Sequence, residues 1–164
     1  MDQQADIQAA RALLNAGKAA FLWRRRIADT ETAVSAALKL MVEGRGDFLL
    51  ESVEGGTQRA RYSLMGLAPD LVFRADGDRA AINRQWARDR NAFTPVESGA
   101  LDALRALVAE CRADVPDILP PVLACLVGYF GYETIGLVEK LPRAPQSPVA
   151  VPDMFFVRPT VLLL

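Results

Sequence analysis

The sequence predicts an α+β domain in which a strongly bent antiparallel sheet carries about three packed helices. Apolar residues recur at helical spacing in three segments, and between those segments the period changes to that of short strands. The pair Asp76-Gly77 sits between two such strands and favours a tight hairpin. The chain has 164 residues, a length typical of one domain, and it contains no internal repeat.

The three main helices are each predicted from an apolar stripe and from residues that start or stop a helix. Gly17 would end the first helix, Asp29 or Thr30 would cap the second, and Gly44 would end it. A short fourth helix is predicted near residues 133–138. The main helices are expected over residues 6–15, 30–42 and 98–112. We divide the chain into an amino-terminal helix over residues 1–18 and a main domain over residues 19–164.

Apolar runs bounded by glycine, proline or polar turns predict the strands. The polar stretch 85–94 is expected to be a loop. The predicted strands cover residues 19–28, 48–52, 61–68, 71–75, 79–84, 122–127 and 154–164.

Composition excludes several classes of function. The net charge is −1, from 19 basic and 20 acidic residues, and it provides no attraction to nucleic acid or an anionic membrane. The sequence has no histidine, which removes histidine triads, histidine general bases and histidine metal ligands. The two cysteines match no zinc-binding spacing. The chain shows no secretory signal and no apolar run that would span a bilayer, so we expect a cytoplasmic location.

The residues alone contain no convincing active site, but one strand ends in an unusual way. Leu49 and Leu50 lead into Glu51 and Ser52, just before a glycine-containing loop. One interpretation is a strand end whose polar residues turn to water. The other is a ligand site, where the carboxylate receives an ammonium group, the hydroxyl makes a directional bond and the strand supplies an apolar wall.

The last four residues, Val161 to Leu164, are all apolar. An exposed apolar edge invites aggregation. We therefore expect one of two arrangements: other parts of the fold cover this end, or the natural chain continues. Of the two, we favour continuation of the chain.

Several stretches, taken together and in order, resemble anthranilate synthase component I. Its amino-terminal signature is similar to Leu49-Leu50-Glu51-Ser52 followed by Arg61-Tyr62-Ser63-Leu64-Met65-Gly66. Three further stretches fit the same family: the helix start Thr32-Ala33-Val34-Ser35, the turn Gly128-Tyr129-Phe130-Gly131-Tyr132-Glu133 and the strand Val157-Arg158-Pro159-Thr160. Ala33 stands where proline is usual in the family.

The resemblance implies an amino-terminal regulatory domain without catalytic residues. In this family a large carboxy-terminal domain binds chorismate and magnesium, so no cofactor or metal is expected in this chain and it is expected to be inactive alone. Full-length members take ammonia from a glutamine amidotransferase subunit, component II, and convert chorismate to anthranilate and pyruvate. The amino-terminal domain shapes the site at which L-tryptophan inhibits.

The resemblance also assigns site residues. Glu51 and Ser52 would line the tryptophan pocket, and Leu50 would form its apolar wall. Tyr62 and Ser63 occupy the family's second contributing segment, although some members have lysine at the position of Tyr62. The alternative for these last two residues is ordinary strand packing.

Three other interpretations remain open at this point. The related aminodeoxychorismate synthase component I shares the fold and can hold tryptophan. The second interpretation, from a different class of protein, is a stand-alone amino-acid-binding domain. The third is an unrelated α+β domain whose sequence matches the family motifs by accident.

Overall fold

The computed structural model describes residues 3–51, 62–120, 123, 126–140 and 149–164. Within these ranges the helices are α1 (Gln3–Asn15), α2 (Ala33–Leu40), α3 (Ala100–Glu110) and a 3-10 helix (Tyr132–Leu137). The strands are β1 (Phe48–Glu51), β2 (Ser63–Leu67), β3 (Leu71–Asp76), β4 (Arg79–Asn83), β5 (Phe93–Val96), β6 (Val127–Phe130), β7 (Met154–Arg158) and β8 (Val161–Leu163).

The strands form two sheets. The small sheet has the order β1-β2-β8, and the large sheet has the order β5-β4-β3-β7-β6. Every neighbouring pair is antiparallel. The predicted α+β class and antiparallel pairing are confirmed, with the strands divided between two sheets where the sequence predicts one.

The core lies between the large sheet and α3. Its largest fully buried apolar side chains include Phe73, Leu71, Met154 and Leu107. Phe73 packs edge-on against Phe156, with ring centroids 6.4 Å apart. These side chains come from β3, β7 and α3, so the packing of α3 on the large sheet makes a large contribution to hydrophobic stabilisation.

The predicted hairpin is confirmed at the turn between β3 and β4. Gly77 adopts φ +55°, a left-handed conformation that glycine reaches without steric cost. Its N–H donates to the Asp153 carboxylate at 2.7 Å. The next residue, Asp78, accepts the N–H of Ala100 at 2.8 Å and so satisfies a donor at the start of α3.

Helix α2 begins later than predicted. Its N-cap is Thr32, whose hydroxyl accepts the N–H of Ser35 at 3.0 Å, while the Ser35 hydroxyl accepts the N–H of Thr32 at 2.9 Å. This reciprocal pair is a capping box built with serine, so it fixes the helix start at residue 33 and not after Asp29 or Thr30. The helix contacts β1 and β2.

The predicted strand over residues 19–28 is wrong. This segment has no regular secondary structure, and no described strand pairs with it. Ile27 is 90% exposed and Leu22 is 59% exposed, so the segment buries too little apolar surface to hold a place in a sheet.

Three further boundaries differ from the prediction. The predicted loop 85–94 ends in β5, an edge strand, where Pro95 is tolerated because edge strands leave N–H positions unused. The last predicted strand is two strands in different sheets, separated at Pro159. Residues 122, 124 and 125 of the predicted strand 122–127 lie outside the described residues, and β6 begins at Val127.

Helix α1 lies within the predicted amino-terminal segment, and the division of the chain between residues 18 and 19 stays a prediction. In the described ranges, no helix is long and apolar enough to cross a membrane.

Two segments of the chain connect the small sheet to the large sheet, and hydrogen bonds and an ion pair join these two segments to each other. We call them the double crossing: Leu67 to Asp70, and Arg158 to Thr160. The Arg158 guanidinium forms a two-pronged ion pair with Asp70, with both N···O distances 2.8 Å. Thr160 donates from its N–H to the Leu67 carbonyl at 3.2 Å and from its hydroxyl to the Ala68 carbonyl at 2.7 Å.

Candidate functional site

The register of the small sheet places two of the predicted site residues side by side. Glu51 lies directly opposite Ser63 in the β1–β2 pair. Directly opposed residues of antiparallel strands share a face, with Cβ atoms about 4.5–5.5 Å apart. A carboxylate and a hydroxyl therefore stand next to each other, and together they suit a ligand that carries an ammonium group.

The other predicted residues take different places. Leu50 lies opposite Leu64, so its side chain is on the other face of the sheet from Glu51. Tyr62 immediately precedes β2 and, like Leu50, is 50% exposed. Ser52 lies outside the described residues. A ligand that touches both Leu50 and Glu51 would have to lie at the end of the strand, and the assignment of all five residues to a site stays a prediction.

Glu51 lies on an exposed part of the small sheet. Among the residues that the structure describes, none forms a side-chain hydrogen bond or ion pair with its carboxylate. With respect to those residues, its oxygens keep their capacity to accept hydrogen bonds from a cationic group.

Two concavities lie elsewhere in the molecule. One, of about 430 Å³, lies between α3 and the strands β4 and β5 and includes the ion pair of Arg84 with Glu110. The other, of about 370 Å³, is lined mainly by apolar side chains of α3 and by Phe130. Neither of these two concavities includes Glu51 or Ser63 among its described lining residues.

In the described part of the chain, no three aspartate, glutamate or cysteine residues form a cluster that could hold a metal ion. The chain as a whole has no histidine.

A buried carboxylate that precedes β1 was not predicted from the sequence. The Asp47 side chain is 1% exposed and forms an ion pair with Arg45. It also accepts the N–H of Val42 at 2.9 Å and the N–H of Ala68 at 2.8 Å. The Arg45 carbonyl in turn accepts the indole N–H of Trp86 at 2.8 Å. We call these contacts the Asp47 network; it connects the end of α2, the start of β1, the end of β2 and the segment after β4.

The Asp47 network makes stability depend on pH. Burial opposes ionisation, but the hydrogen bonds from Arg45, Val42 and Ala68 outweigh it and hold the pKa of Asp47 below its ordinary 3.8. A carboxyl whose pKa is lowered by folding stabilises the protein fully above the unfolded pKa and loses this contribution as the pH falls through the folded pKa. We therefore expect the stability advantage of the protein over Asp47→Asn to be largest at neutral pH and to shrink below about pH 4.

Urea unfolding at several pH values between 7 and 2.5 measures this difference. Asp114→Asn is the control, because Asp114 is exposed. A gap between the protein and Asp47→Asn that stays constant over the whole range would contradict the expected pH dependence.

The fold defines a class of protein: an α+β domain of antiparallel sheets in which Glu51 and Ser63 lie opposite each other at the end of β1. The chain is 45% identical over 147 residues to anthranilate synthase component 1 of Cereibacter sphaeroides, an alignment that covers 90% of this chain and 29% of that relative. It is 35% identical over 139 residues to the protein of the same name from Thermus thermophilus, covering 83% of this chain and 27% of the relative. With the Mycolicibacterium smegmatis protein of that name it shares 33% identity over 137 residues, covering 84% and 25% respectively.

The chain belongs to the anthranilate synthase component 1 family. It spans between a quarter and a third of the length of these curated relatives. No family model matches the chain.

Proposed function

We propose that this chain is the amino-terminal regulatory and structural domain of an anthranilate synthase component 1 and contributes part of the site at which L-tryptophan inhibits. The whole protein would convert chorismate and glutamine-derived ammonia to anthranilate and pyruvate, with component II as the source of ammonia. Because the chain spans only 29% of its Cereibacter relative, the catalytic residues and the magnesium ion belong, in this proposal, to the remainder of such a protein.

The observation that carries the proposal is the pairing of Glu51 with Ser63 at an open strand end of a family member. The carboxylate would accept charge-assisted hydrogen bonds from the ammonium group of tryptophan. The Ser63 hydroxyl would bond a second polar group of the amino acid. Leu50, half exposed on the other face of the sheet, would contact the indole of a ligand that lies at the strand end.

The size of the indole explains why this surface would need a second wall. Burying an indole removes about 150–250 Å² from water, and at about 25 cal/mol per Å² this contributes roughly 4–6 kcal/mol. Micromolar affinity requires about 8 kcal/mol after the costs of association. An exposed glutamate and a half-exposed leucine supply only part of that, so the site would be completed by a surface outside this chain.

Inhibition additionally requires that tryptophan distinguish two arrangements of the enzyme. A coupling free energy of about 1–3 kcal/mol is typical of such regulation. A site shared between this domain and another surface meets the requirement, because its two walls would fit together only in one arrangement.

The proposal is tested in a chimera of the Cereibacter sphaeroides protein whose matching segment is replaced by this chain. We expect Glu51→Gln to raise the tryptophan concentration for half inhibition about tenfold or more, because a hydrogen bond to a charged group contributes roughly 1.5–3 kcal/mol. Anthranilate fluorescence measures the rate, and each variant is normalised to its own uninhibited rate.

Glu43→Gln is the matched control, since Glu43 is an exposed carboxylate in the turn before β1. Equal half-inhibition concentrations for Glu51→Gln, Glu43→Gln and the unaltered chimera would contradict the assignment of Glu51.

A further inference from the structure

The hydropathy pattern of β1 and β2, taken alone, specifies their pairing weakly. The two strands share four opposed pairs, and three residues of β1, Phe48 to Leu50, are apolar throughout. Because neighbouring positions are similar in character, a slip by one residue would exchange one apolar side chain for another. Such a slip would nevertheless take Glu51 away from Ser63 and turn every β1 side chain to the other face.

A polar contact fixes the register at the opposite end of the strand pair. Asp47 immediately precedes β1, Ala68 immediately follows β2, and the Asp47 carboxylate accepts the Ala68 N–H at 2.8 Å. The Asp47 side chain is 1% exposed, so a slip would leave a buried carboxylate without this donor. Ala68 itself is held by the Thr160 hydroxyl, which donates to its carbonyl at 2.7 Å.

A steric contact acts at the neighbouring pair. Phe48 lies opposite Gly66, and its ring lies so close that a Cβ added to Gly66 would be 2.2 Å from ring atom Cε1. Only glycine leaves space for the ring there. A slip would place Phe48 opposite Met65 or Leu67, both of which carry buried side chains.

We propose that Asp47 is a positioning residue of the tryptophan site: together with the Phe48–Gly66 contact it sets the β1–β2 register and thereby places Glu51 opposite Ser63. Asp47 touches no ligand and acts from four residues away, which is about 13 Å along a strand. The consequence for tryptophan rests on the proposed function, whereas the consequence for the register does not.

The register is tested by NMR on the 164-residue chain with Asp47→Asn. This substitution takes the carboxylate that accepts hydrogen bonds from Val42, Arg45 and Ala68 and replaces one of its oxygens by an NH₂ group that can only donate. We expect the cross-strand nuclear Overhauser contacts between Glu51 and Ser63 to disappear or to shift by one residue. Contacts between Phe73 and Phe156 in the large sheet should remain. Asp153→Asn is the matched control, because Asp153 also accepts a backbone N–H, from Gly77 at 2.7 Å, but in the large sheet.

Retention of the Glu51–Ser63 contacts in Asp47→Asn, or their equal loss in Asp153→Asn, would overturn the proposal. Phe48→Leu removes the steric contact and keeps the carboxylate, and we expect it to weaken the same cross-strand contacts. If Asp47→Asn fails to fold, Phe48→Leu decides, and unchanged contacts in that variant refute the proposal.

The functional consequence is measured in the chimera. We expect Asp47→Asn to raise the tryptophan concentration for half inhibition at least fivefold and Asp153→Asn to change it less than twofold. If Glu51→Gln leaves inhibition unaltered, the proposed function fails, and the NMR result still decides whether Asp47 sets the register.

Discussion

Gly128→Ala is expected to destabilise the protein by about 3 kcal/mol, the upper end of what overpacking usually costs. Gly128 lies opposite Phe156 in the β6–β7 pair. A Cβ at this position would be 1.9 Å from the Phe155 carbonyl oxygen and 2.7 Å from the Phe156 Cα. These atoms belong to backbone, and β7 is also paired with β3, so it cannot move away without disturbing a second ladder.

Urea unfolding followed by circular dichroism measures this loss as a lower midpoint at an unchanged slope. Gly136→Ala is the control, because a Cβ at Gly136 would meet no atom within 4 Å. We expect that control to stay within about 0.5 kcal/mol of the protein. Similar midpoints for the two variants would show that β6 does not lie as close to β7 as described.

Phe73→Ala should cost about 3–5 kcal/mol, the range for deleting a buried aromatic side chain. Phe73 is 0% exposed and lies in β3, at the centre of the large sheet. Its ring packs edge-on against Phe156, and removing it leaves a cavity that paired strands on both sides cannot easily close. The free energy of unfolding in urea measures the effect.

Phe130→Ala is a closely matched control. Phe130 also packs edge-on against Phe156, with ring centroids 5.0 Å apart, but it is 57% exposed and lies in an edge strand. We expect it to cost less than half as much as Phe73→Ala. If the exposed phenylalanine proved the more costly to remove, the core would not lie where we place it.

Features that depend on neighbouring residues were predictable from the sequence. The hairpin at Asp76-Gly77 follows from the conformational freedom of Gly77, and α3 follows from an apolar stripe that α3 buries against the large sheet. The segment 19–28 shows the limit of this reasoning. Its composition suits a strand, but a strand also needs a partner, and partners are set by the whole fold.

The division into two sheets also could not be predicted locally. Residues 154–164 form one apolar stretch that is interrupted only around Arg158-Pro159-Thr160. The change of sheet at this point depends on which strands are available to pair with β7 and with β8.

The pairing of the two strands that carry the candidate residues was predictable, whereas their role in a ligand site stays a prediction. The motif residues Leu50, Glu51 and Ser63 do lie on paired strands, but the register that joins Glu51 to Ser63 and separates them from Leu50 is known only from the structure. The role of Asp47 could not be predicted, because its hydrogen-bond partner Ala68 is 21 residues away in the sequence. A single aspartate before an apolar run is also not a distinctive sequence pattern.

The double crossing has a mechanical consequence for any signal that starts in the small sheet. Two chain segments joined by hydrogen bonds and by the Asp70–Arg158 ion pair resist torsion far better than one segment, whose backbone dihedrals could simply rotate. Swivelling one sheet against the other would break those bonds together. We therefore expect a displacement of β2 or β8 to be transmitted to β3, the central strand of the large sheet, and to its neighbour β7.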